Sequence, residues 1–251
     1  TVAHRAAEGV EQAVYLTDKR QQSHFEQLFA LVKMLGYDME LTHVSFGAIL
    51  GMDGTALKTR AGNVFTLAAL LDEAEDRATT LMMGLGHDEA FARSLAPAVG
   101  IGAVKYGDLR QNLNSDYTFD LEKMVQLSGN CAPYIQYAAA RVGSVLRKGD
   151  IDQSALRPER VLVTEPSERA LARKLLAFPD VVHTSAESSL PHLLTDHLYD
   201  VASAFSAFWE HCPVLNAEGE TRQSRLALTA LTGRQLRRGL SLLGIESPER
   251  M

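Results

Sequence analysis

Three long segments in the second half of the chain repeat apolar residues at the spacing of an α-helix. The first follows Ala132 and Pro133, and a proline suits the first turn of a helix. The others run from Leu190 to Trp209 and from Leu226 to Leu243. Because each segment has one apolar face, the three helices must bury these faces against one another, which predicts a helical bundle. The apolar positions are Ile135, Ala138, Ala139, Val142, Val145 and Leu146; Leu193, Leu194, Leu198, Val201, Ala202, Phe205 and Phe208; and Leu228, Leu231, Leu236, Leu240 and Leu243.

The N-terminal part has a different pattern. Residues 13–17 are apolar and β-prone, a polar stretch follows, and residues 25–35 then carry apolar side chains at helical spacing. Gly36 ends this helix, and residues 39–46 alternate like a second strand. The pattern predicts the closing βαβ unit of a parallel sheet. Ligands of such sheets bind at the carboxyl ends of the strands, here Asp18 to His24 and Gly47 onward.

From Leu67 onward helix formers dominate. We expect interruptions at residues 84–86 and at Ala96-Pro97, and a short strand-like piece at residues 160–164. Polar and glycine-containing clusters place boundaries near residues 107–117 and 148–150.

Composition narrows the class of protein. The chain has 251 residues, 46% of them hydrophobic, which is enough for a sizeable core. Apolar runs such as residues 64–71 are well short of the roughly 20 residues that span a bilayer, and no secretion leader opens the chain, so we expect a soluble protein. Cys131 and Cys212 have no nearby partner, which indicates neither a disulfide framework nor a zinc site and favours the cytoplasm.

The formal net charge of −6 argues against a non-specific DNA-binding protein. A local basic face could still hold RNA, while the alternative is an ordinary solvated helix surface. The arginines of that face would be Arg222, Arg225, Arg234, Arg237 and Arg238.

The segment from Gly47 to Gly62 combines four glycines with Lys58 and Arg60. Glycines allow close approach of the backbone to a ligand and expose N–H groups, and the two cations suit a polyphosphate. Alternatively, residues 52–55 form a plain hairpin turn.

Two sets of motifs resemble class I arginyl-tRNA synthetases of the bacterial type. The first is His43-Val44-Ser45-Phe46-Gly47, then Lys58-Thr59-Arg60-Ala61-Gly62, then residues 67–74. The resemblance implies that Lys58, Thr59 and Arg60 form a degenerate KMSKS signature with catalytic function and that His43 and Gly47 bind ATP. Thr59 replaces the usual second lysine, so the missing charge would come from elsewhere.

The segment Val14 to Phe25 resembles the approach to the arginine pocket of the same family. By that resemblance Gln21 and His24 bind the substrate. Their ordinary alternatives are a loop amide and a helix-terminal histidine without a chemical role. A carboxylate that would grip the guanidinium cannot be assigned within the chain.

The second set comprises residues 100–109, 116–120 and 130–141. It resembles the entry into the family's anticodon-binding domain, and the resemblance implies that tRNA is bound by Tyr134, Ala138, Trp209 and Met251. Aromatic rings are suited to stack on unpaired RNA bases. Alternatively, Tyr134 packs between helices, and Trp209 is a core or helix-end packing residue.

The resemblance implies a mixed fold: the C-terminal remnant of a Rossmann-type α/β catalytic domain followed by a mostly α-helical bundle of the DALR type. The expected domains are residues 1–66, a helical connective region at 67–115, and the anticodon-binding domain at 116–251. The implied function is an arginine-tRNA ligase that uses ATP with magnesium and acts on arginine and tRNA, without DNA, membrane or a bound metal site, as a monomer.

The family's HIGH motif is expected upstream of Thr1. We therefore predict that these residues alone do not form arginyl-adenylate. The alternatives are a non-catalytic tRNA-binding module and a synthetase paralogue.

Overall fold

The structure is a computed structural model that describes residues 1–55, 66–151, 156 and 160–251. The chain divides into two units. The first unit contains the described residues of Thr1–Ala61 together with Gln111–Phe119. The second contains the described residues of Gly62–Arg110 and Asp120–Met251.

The first unit is built on a βαβ arrangement, as the sequence predicts. It comprises helix α1 (Val2–Ala7), strand β1 (Gln12–Asp18), helix α2 (Gln22–Met34), strand β2 (Glu40–Phe46) and the short strands β3 (Ile49–Leu50) and β4 (Tyr117–Thr118). β1 and β2 are parallel, with Thr17 beside Ser45 and Asp18 beside Phe46, so both strands end at the same edge. β3 pairs in parallel with β4.

An aromatic cluster joins α2 to the strands of this unit. Tyr15 of β1 lies 5.1 Å from Phe25 and 5.8 Å from Phe29 between ring centroids. Phe25 and Val32 are the buried residues of α2. Gly36 has φ +78°, a left-handed conformation that favours glycine, and it lies just after the end of the helix as expected.

The second unit is helical. Its helices are α3 (Leu67–Gly84), α4 (Glu89–Leu109), α5 (Leu121–Met124), α6 (Ala132–Lys148), α7 (Pro166–Ser188), α8 (Pro191–His211) and α9 (Gly219–Leu242). Their core is aliphatic and aromatic and is formed chiefly by α6, α7, α8 and α9, which confirms the predicted bundle. The predicted apolar stripe of α6 is buried along its whole length.

The interruption expected at Ala96-Pro97 is wrong. Pro97 lies inside α4, which continues to Leu109. A proline within a helix costs about 3 kcal/mol, but α4 packs closely on α3: the Cα of Gly100 faces the backbone of Ala74 so tightly that an added Cβ would lie 2.6 Å from the Ala74 carbonyl carbon. This packing outweighs the local effect of the proline.

The strand expected at residues 160–164 is also absent from the described part of the chain. Its amides are bound by side chains instead of by a neighbouring strand. The Leu162 N–H donates to Ser224 Oγ at 2.9 Å, and the Thr164 N–H donates to Glu168 Oε2 at 2.8 Å. The segment is therefore an extended connection that leads into α7.

Among the described helices, each is too short or too polar to cross a lipid bilayer.

Candidate substrate edge and nucleic-acid interface

The carboxyl ends of β1 and β2 form the first candidate site. Residues Lys19–Gln21 make a short 3-10 turn after β1, and Gln21 is the residue before α2. Gln21 and His24 are both exposed. The structure thus places both residues where parallel sheets bind ligands, and their substrate roles stay predictions.

His43 is held in a defined orientation at this edge. Its Nε2 lies 2.8 Å from Thr17 Oγ1, and its ring stacks on Phe25 with centroids 4.6 Å apart. His24 contacts the same phenylalanine edge-on at 5.4 Å. Phe25 therefore connects the two histidines that the sequence singled out.

Charged groups surround the strand ends. Hydrogen bonds from the side chain and the amide of Arg20 lower the pKa of Asp18 to about 2. Asp116 accepts from Lys19 and from the Ala48 amide, and these bonds lower its pKa as well. No sequence pattern pointed to a role of Asp116 at this edge, because Asp116 lies 68 positions from Ala48.

The glycines of the predicted ATP loop do not offer free N–H groups where the structure describes them. Gly47 donates to the Leu113 carbonyl at 2.8 Å, Gly51 to Thr55 at 2.8 Å, and Gly54 to Gly51 at 2.9 Å. The expectation that these three glycines present N–H donors to a polyphosphate is therefore wrong, because each donor is already satisfied within the chain.

The residues 52–55 form a turn in which the Asp53 carboxylate accepts from the Thr55 amide and hydroxyl at 3.0 and 2.9 Å. Such a bond is the usual stabiliser of an aspartate turn. Lys58, Thr59 and Arg60 lie outside the described residues, so their catalytic role stays a prediction.

The second candidate site is a surface formed by one face of α6 and one face of α8, which we call the α6/α8 surface. It is defined by Tyr134, Arg141, Tyr199, Ser206 and Trp209. Tyr134, Tyr199, Ser206 and Trp209 are half-buried, and Arg141 is exposed. The rings of Tyr134 and Trp209 thus remain partly open to solvent.

Contacts within this surface fix Tyr134 and Trp209, the two aromatic residues that are predicted to bind tRNA. The Tyr134 hydroxyl lies 3.3 Å from Ser206 Oγ, and its ring lies 5.8 Å from that of Tyr199. The guanidinium carbon of Arg141 lies 5.2 Å from the Trp209 ring centroid. Arg141, Tyr199 and Ser206 had no role in the sequence interpretation. Helical spacing could have identified Tyr199 and Ser206, since both lie on the same face of one helix as Trp209.

Beside Trp209 lies a cavity of about 260 Å³. Its lining is formed by Trp209 and by the loop that follows α8, at Pro213, Val214, Leu215 and Asn216.

A buried ion pair holds this loop through a hydrogen bond to one of its carbonyl groups. Arg225 Nε donates to Glu168 Oε1 at 2.7 Å, and Arg225 Nη1 donates to the Pro213 carbonyl at 2.9 Å. Burial alone would raise the pKa of Glu168, but hydrogen bonds from the Glu165 amide, from Arg225 and from the Thr164 amide outweigh burial, so the pKa is lowered.

The proposed basic face on α9 is thereby corrected. Arg225 is buried in the pair with Glu168, and half-buried Arg237 donates to the Ala139 carbonyl at 3.1 Å. Of the five arginines considered, Arg234 and Arg238 are exposed and Arg222 is half-buried. The arginines of α9 therefore do not form one basic face: Arg225 and Arg237 make structural contacts, whereas Arg234 and Arg238 face solvent.

Ala138 and Met251 are placed differently from the aromatic residues. Ala138 is only 5% exposed, so little of its methyl group reaches the surface. Met251 is half-buried at the end of a segment that side chains bind at three carbonyls. Lys105 donates to Gly244 at 2.8 Å, Gln136 to Glu246 at 2.7 Å, and Arg147 to Glu249 at 3.4 Å. The tRNA roles of both residues stay predictions.

A hydrogen-bond network around the buried Tyr106 links α4 to α8. The Tyr106 hydroxyl lies 2.7 Å from the Thr195 carbonyl and 2.6 Å from Asn130 Oδ1, and Asn130 Nδ2 donates to Asp196 at 2.9 Å. Burial raises the pKa of Tyr106, so this phenol stays protonated. The network fixes the turn that immediately precedes α6 and Tyr134.

Comparisons with known proteins agree with this geometry. Residues 2–121 match the family of class I tRNA synthetase (R) catalytic domains, and residues 135–251 match the DALR anticodon binding domain. The chain thus combines a match to a class I synthetase catalytic domain with a match to an anticodon binding domain.

Relatives specify the family further. The chain is 47% identical to an arginine-tRNA ligase of Laribacter hongkongensis and 46% identical to that of Alcanivorax borkumensis, covering 96% of this chain in both cases but 43% and 42% of those proteins. The chain belongs to the arginyl-tRNA synthetase family. It spans less than half the length of these curated relatives.

Solved structures give the same result. The arginyl-tRNA synthetase of Plasmodium falciparum superposes with a TM-score of 0.81 at 29% identity, and that of Thermus thermophilus with 0.81 at 28%. Each superposition covers 96% of this chain and 41% of the other.

Proposed function

We propose that this chain takes part in the ATP-dependent attachment of arginine to tRNA, with the α6/α8 surface binding the anticodon loop. The observation that carries the proposal is the placement of Tyr134 and Trp209 on one surface. Trp209 lies within the match to an anticodon binding domain, and Tyr134 is the residue immediately before that match begins. Partly open aromatic rings provide stacking faces for unpaired bases.

The proposed domains are residues 1–66, 67–115 and 116–251. The complete reaction is proposed for the protein as a whole, as a cytoplasmic monomer.

In the first step of the proposed reaction the arginine carboxylate attacks the α-phosphorus of ATP and pyrophosphate leaves. Lys58 and Arg60 would stabilise the negative charge that develops on pyrophosphate. His43 and Gly47 would shape the ATP-binding edge, with Gly47 acting by close packing. Magnesium would enter with ATP as part of the substrate.

In the second step a hydroxyl of the terminal ribose of tRNA attacks the arginyl carbonyl, and AMP leaves. Gln21 and His24 would contact the arginine substrate at the strand ends, where both side chains are exposed. This assignment is supported by their position at the carboxyl edge of the parallel pair.

The proposal is tested by competition binding at one stated salt concentration. An arginine-accepting tRNA and a variant of its anticodon compete for the protein, and the same competition is repeated with Trp209→Ala. Preference for the unaltered anticodon that disappears in the variant supports the proposal. Equal binding of both RNAs by the unmodified protein contradicts anticodon readout.

A further inference from the structure

The segment 111–119 runs alongside the residues that begin the glycine-rich loop. Besides the Gly47 bond to Leu113, the Tyr117 N–H donates to the Ala48 carbonyl at 3.1 Å and the Phe119 N–H donates to the Leu50 carbonyl at 2.9 Å. These backbone bonds attach a distant part of the chain to residues 47–55, which we call the loop root.

One carboxylate oxygen joins both strand ends to this segment. Asp116 Oδ1 accepts from the Ala48 amide at 2.8 Å and from Lys19 Nζ at 2.8 Å. Lys19 follows β1 directly, and Ala48 comes two residues after β2. Asp116 thus bridges the two positions between which a ligand of the sheet edge would lie.

The fit beside Asp116 leaves no spare space. A Cβ added to Gly47 would lie 2.6 Å from the Ser115 carbonyl carbon and 2.8 Å from the Asp116 amide nitrogen. The backbone of the loop root can therefore shift little while residues 111–119 stay in place.

We propose that Asp116 is a positioning residue that holds the loop root for ATP binding. The proposal rests on the proposed function, in which this loop contacts ATP. In this role Asp116 acts through its bond to the Ala48 amide. The Lys19 ion pair is secondary, because its side chains are 45% and 42% exposed and such surface pairs change an equilibrium by less than about fivefold.

A charge-assisted bond to a backbone amide is stronger, changing an equilibrium by about tenfold. The variant Asp116→Ala removes both bonds, Asp116→Asn keeps an acceptor for Ala48 but loses the charge, and Lys19→Gln removes only the ion pair. Asp120→Asn is the matched control, since Asp120 also pairs with a lysine at 2.9 Å and accepts from a backbone amide, but at the start of α5.

The first measurement is amide hydrogen exchange at Ala48. We expect about tenfold faster exchange in Asp116→Ala, less than fivefold in Lys19→Gln, and the unmodified rate in Asp120→Asn. Unchanged exchange in Asp116→Ala overturns the proposal.

The second measurement is arginine-dependent ATP-pyrophosphate exchange by the full-length protein in the presence of arginine-accepting tRNA. Asp116→Ala should raise the KM for ATP about tenfold, with an unchanged KM for arginine, and Asp116→Asn should restore most of the loss. A lower melting temperature with an unchanged KM for ATP would mean a merely structural role and overturn the proposal. Absence of exchange in the unmodified full-length protein would instead overturn the proposed function, leaving hydrogen exchange to decide whether Asp116 fixes the loop root.

Discussion

The guanidinium group of Arg141 lies over the ring of Trp209, with 5.2 Å between the guanidinium carbon and the ring centroid. The two residues lie on different helices, α6 and α8, so the contact fixes the indole across a helix boundary. A cation over an exposed aromatic face contributes about 0.5–1 kcal/mol. The contact with Arg141 therefore orients Trp209 before any ligand binds. The loop after α8 lines the cavity beside Trp209.

Removing the ring of Tyr134 should weaken tRNA binding. We expect Tyr134→Ala to lower the affinity for arginine-accepting tRNA by roughly tenfold or more, since stacking of one base on an aromatic ring contributes about 1–3 kcal/mol. Tyr134→Phe keeps the ring and loses only the contact with Ser206, so its affinity should stay within about threefold. Filter binding at fixed salt measures both. Equal losses in the two variants would show that the hydroxyl group, rather than stacking, matters.

Breaking the buried pair of Glu168 and Arg225 should destabilise the bundle. Their side chains are 1% and 11% exposed, and removal of one partner from a buried pair costs about 3–5 kcal/mol. Urea unfolding of Glu168→Gln measures the loss. The control is Glu220→Gln. Glu220 pairs with Arg160, and the side chains of Arg160 and Glu220 are 71% and 68% exposed. The free energy of unfolding should therefore change by less than about 1 kcal/mol in this variant. Similar losses in both variants would contradict this account.

The same pair predicts a pH dependence. The folded-state pKa of Glu168 is lowered from its ordinary value of 4.5, so its stabilisation is complete above that value. It is lost as the pH falls through the lowered folded-state pKa. The difference in unfolding free energy between the unmodified protein and Glu168→Gln should therefore be constant near neutral pH and shrink below pH 4.5. A difference that grows with acidity would show the opposite sign of shift.

Adding a methyl group at Gly47 should disturb the loop root. The new Cβ in Gly47→Ala would overlap the Ser115 backbone, and overpacking of this kind costs about 1–3 kcal/mol. Gly84→Ala is the control, because nothing lies within 4 Å of its added Cβ and alanine favours a helix. Thermal unfolding followed by hydrogen exchange of residues 47–50 compares the two. Tolerance of alanine at Gly47 would show that the two segments are not closely packed.

Periodicity and glycine positions were sufficient to predict the elements whose signals lie within their own stretch of sequence. The βαβ unit and α6 followed from apolar spacing, a helix-ending Gly36 and a first-turn Pro133. α4 was different, because its continuity through Pro97 depends on packing against α3, which no local pattern contains. The segment 160–164 was misread for a related reason, since Ser224 and Glu168 bind its amides.

The candidate sites also contain some residues that the sequence identified and others that only the fold reveals. Tyr134 and Trp209 were found through the family motifs, and their surface position fits that interpretation. Asp116 and Arg225 were missed as positioning groups, because the atoms that they bind belong to other parts of the chain. Sequence identifies side chains that suit a ligand, whereas their supporting contacts depend on the fold.

Binding of the anticodon at the α6/α8 surface can be followed through Trp209, because it is the chain's one tryptophan. Its fluorescence reports on this surface without a label. Titration with arginine-accepting tRNA should quench or shift the emission of Trp209, and a tRNA with an altered anticodon should do so only at about tenfold higher concentration. Emission that is unchanged by either RNA while binding is seen by another method would contradict the account.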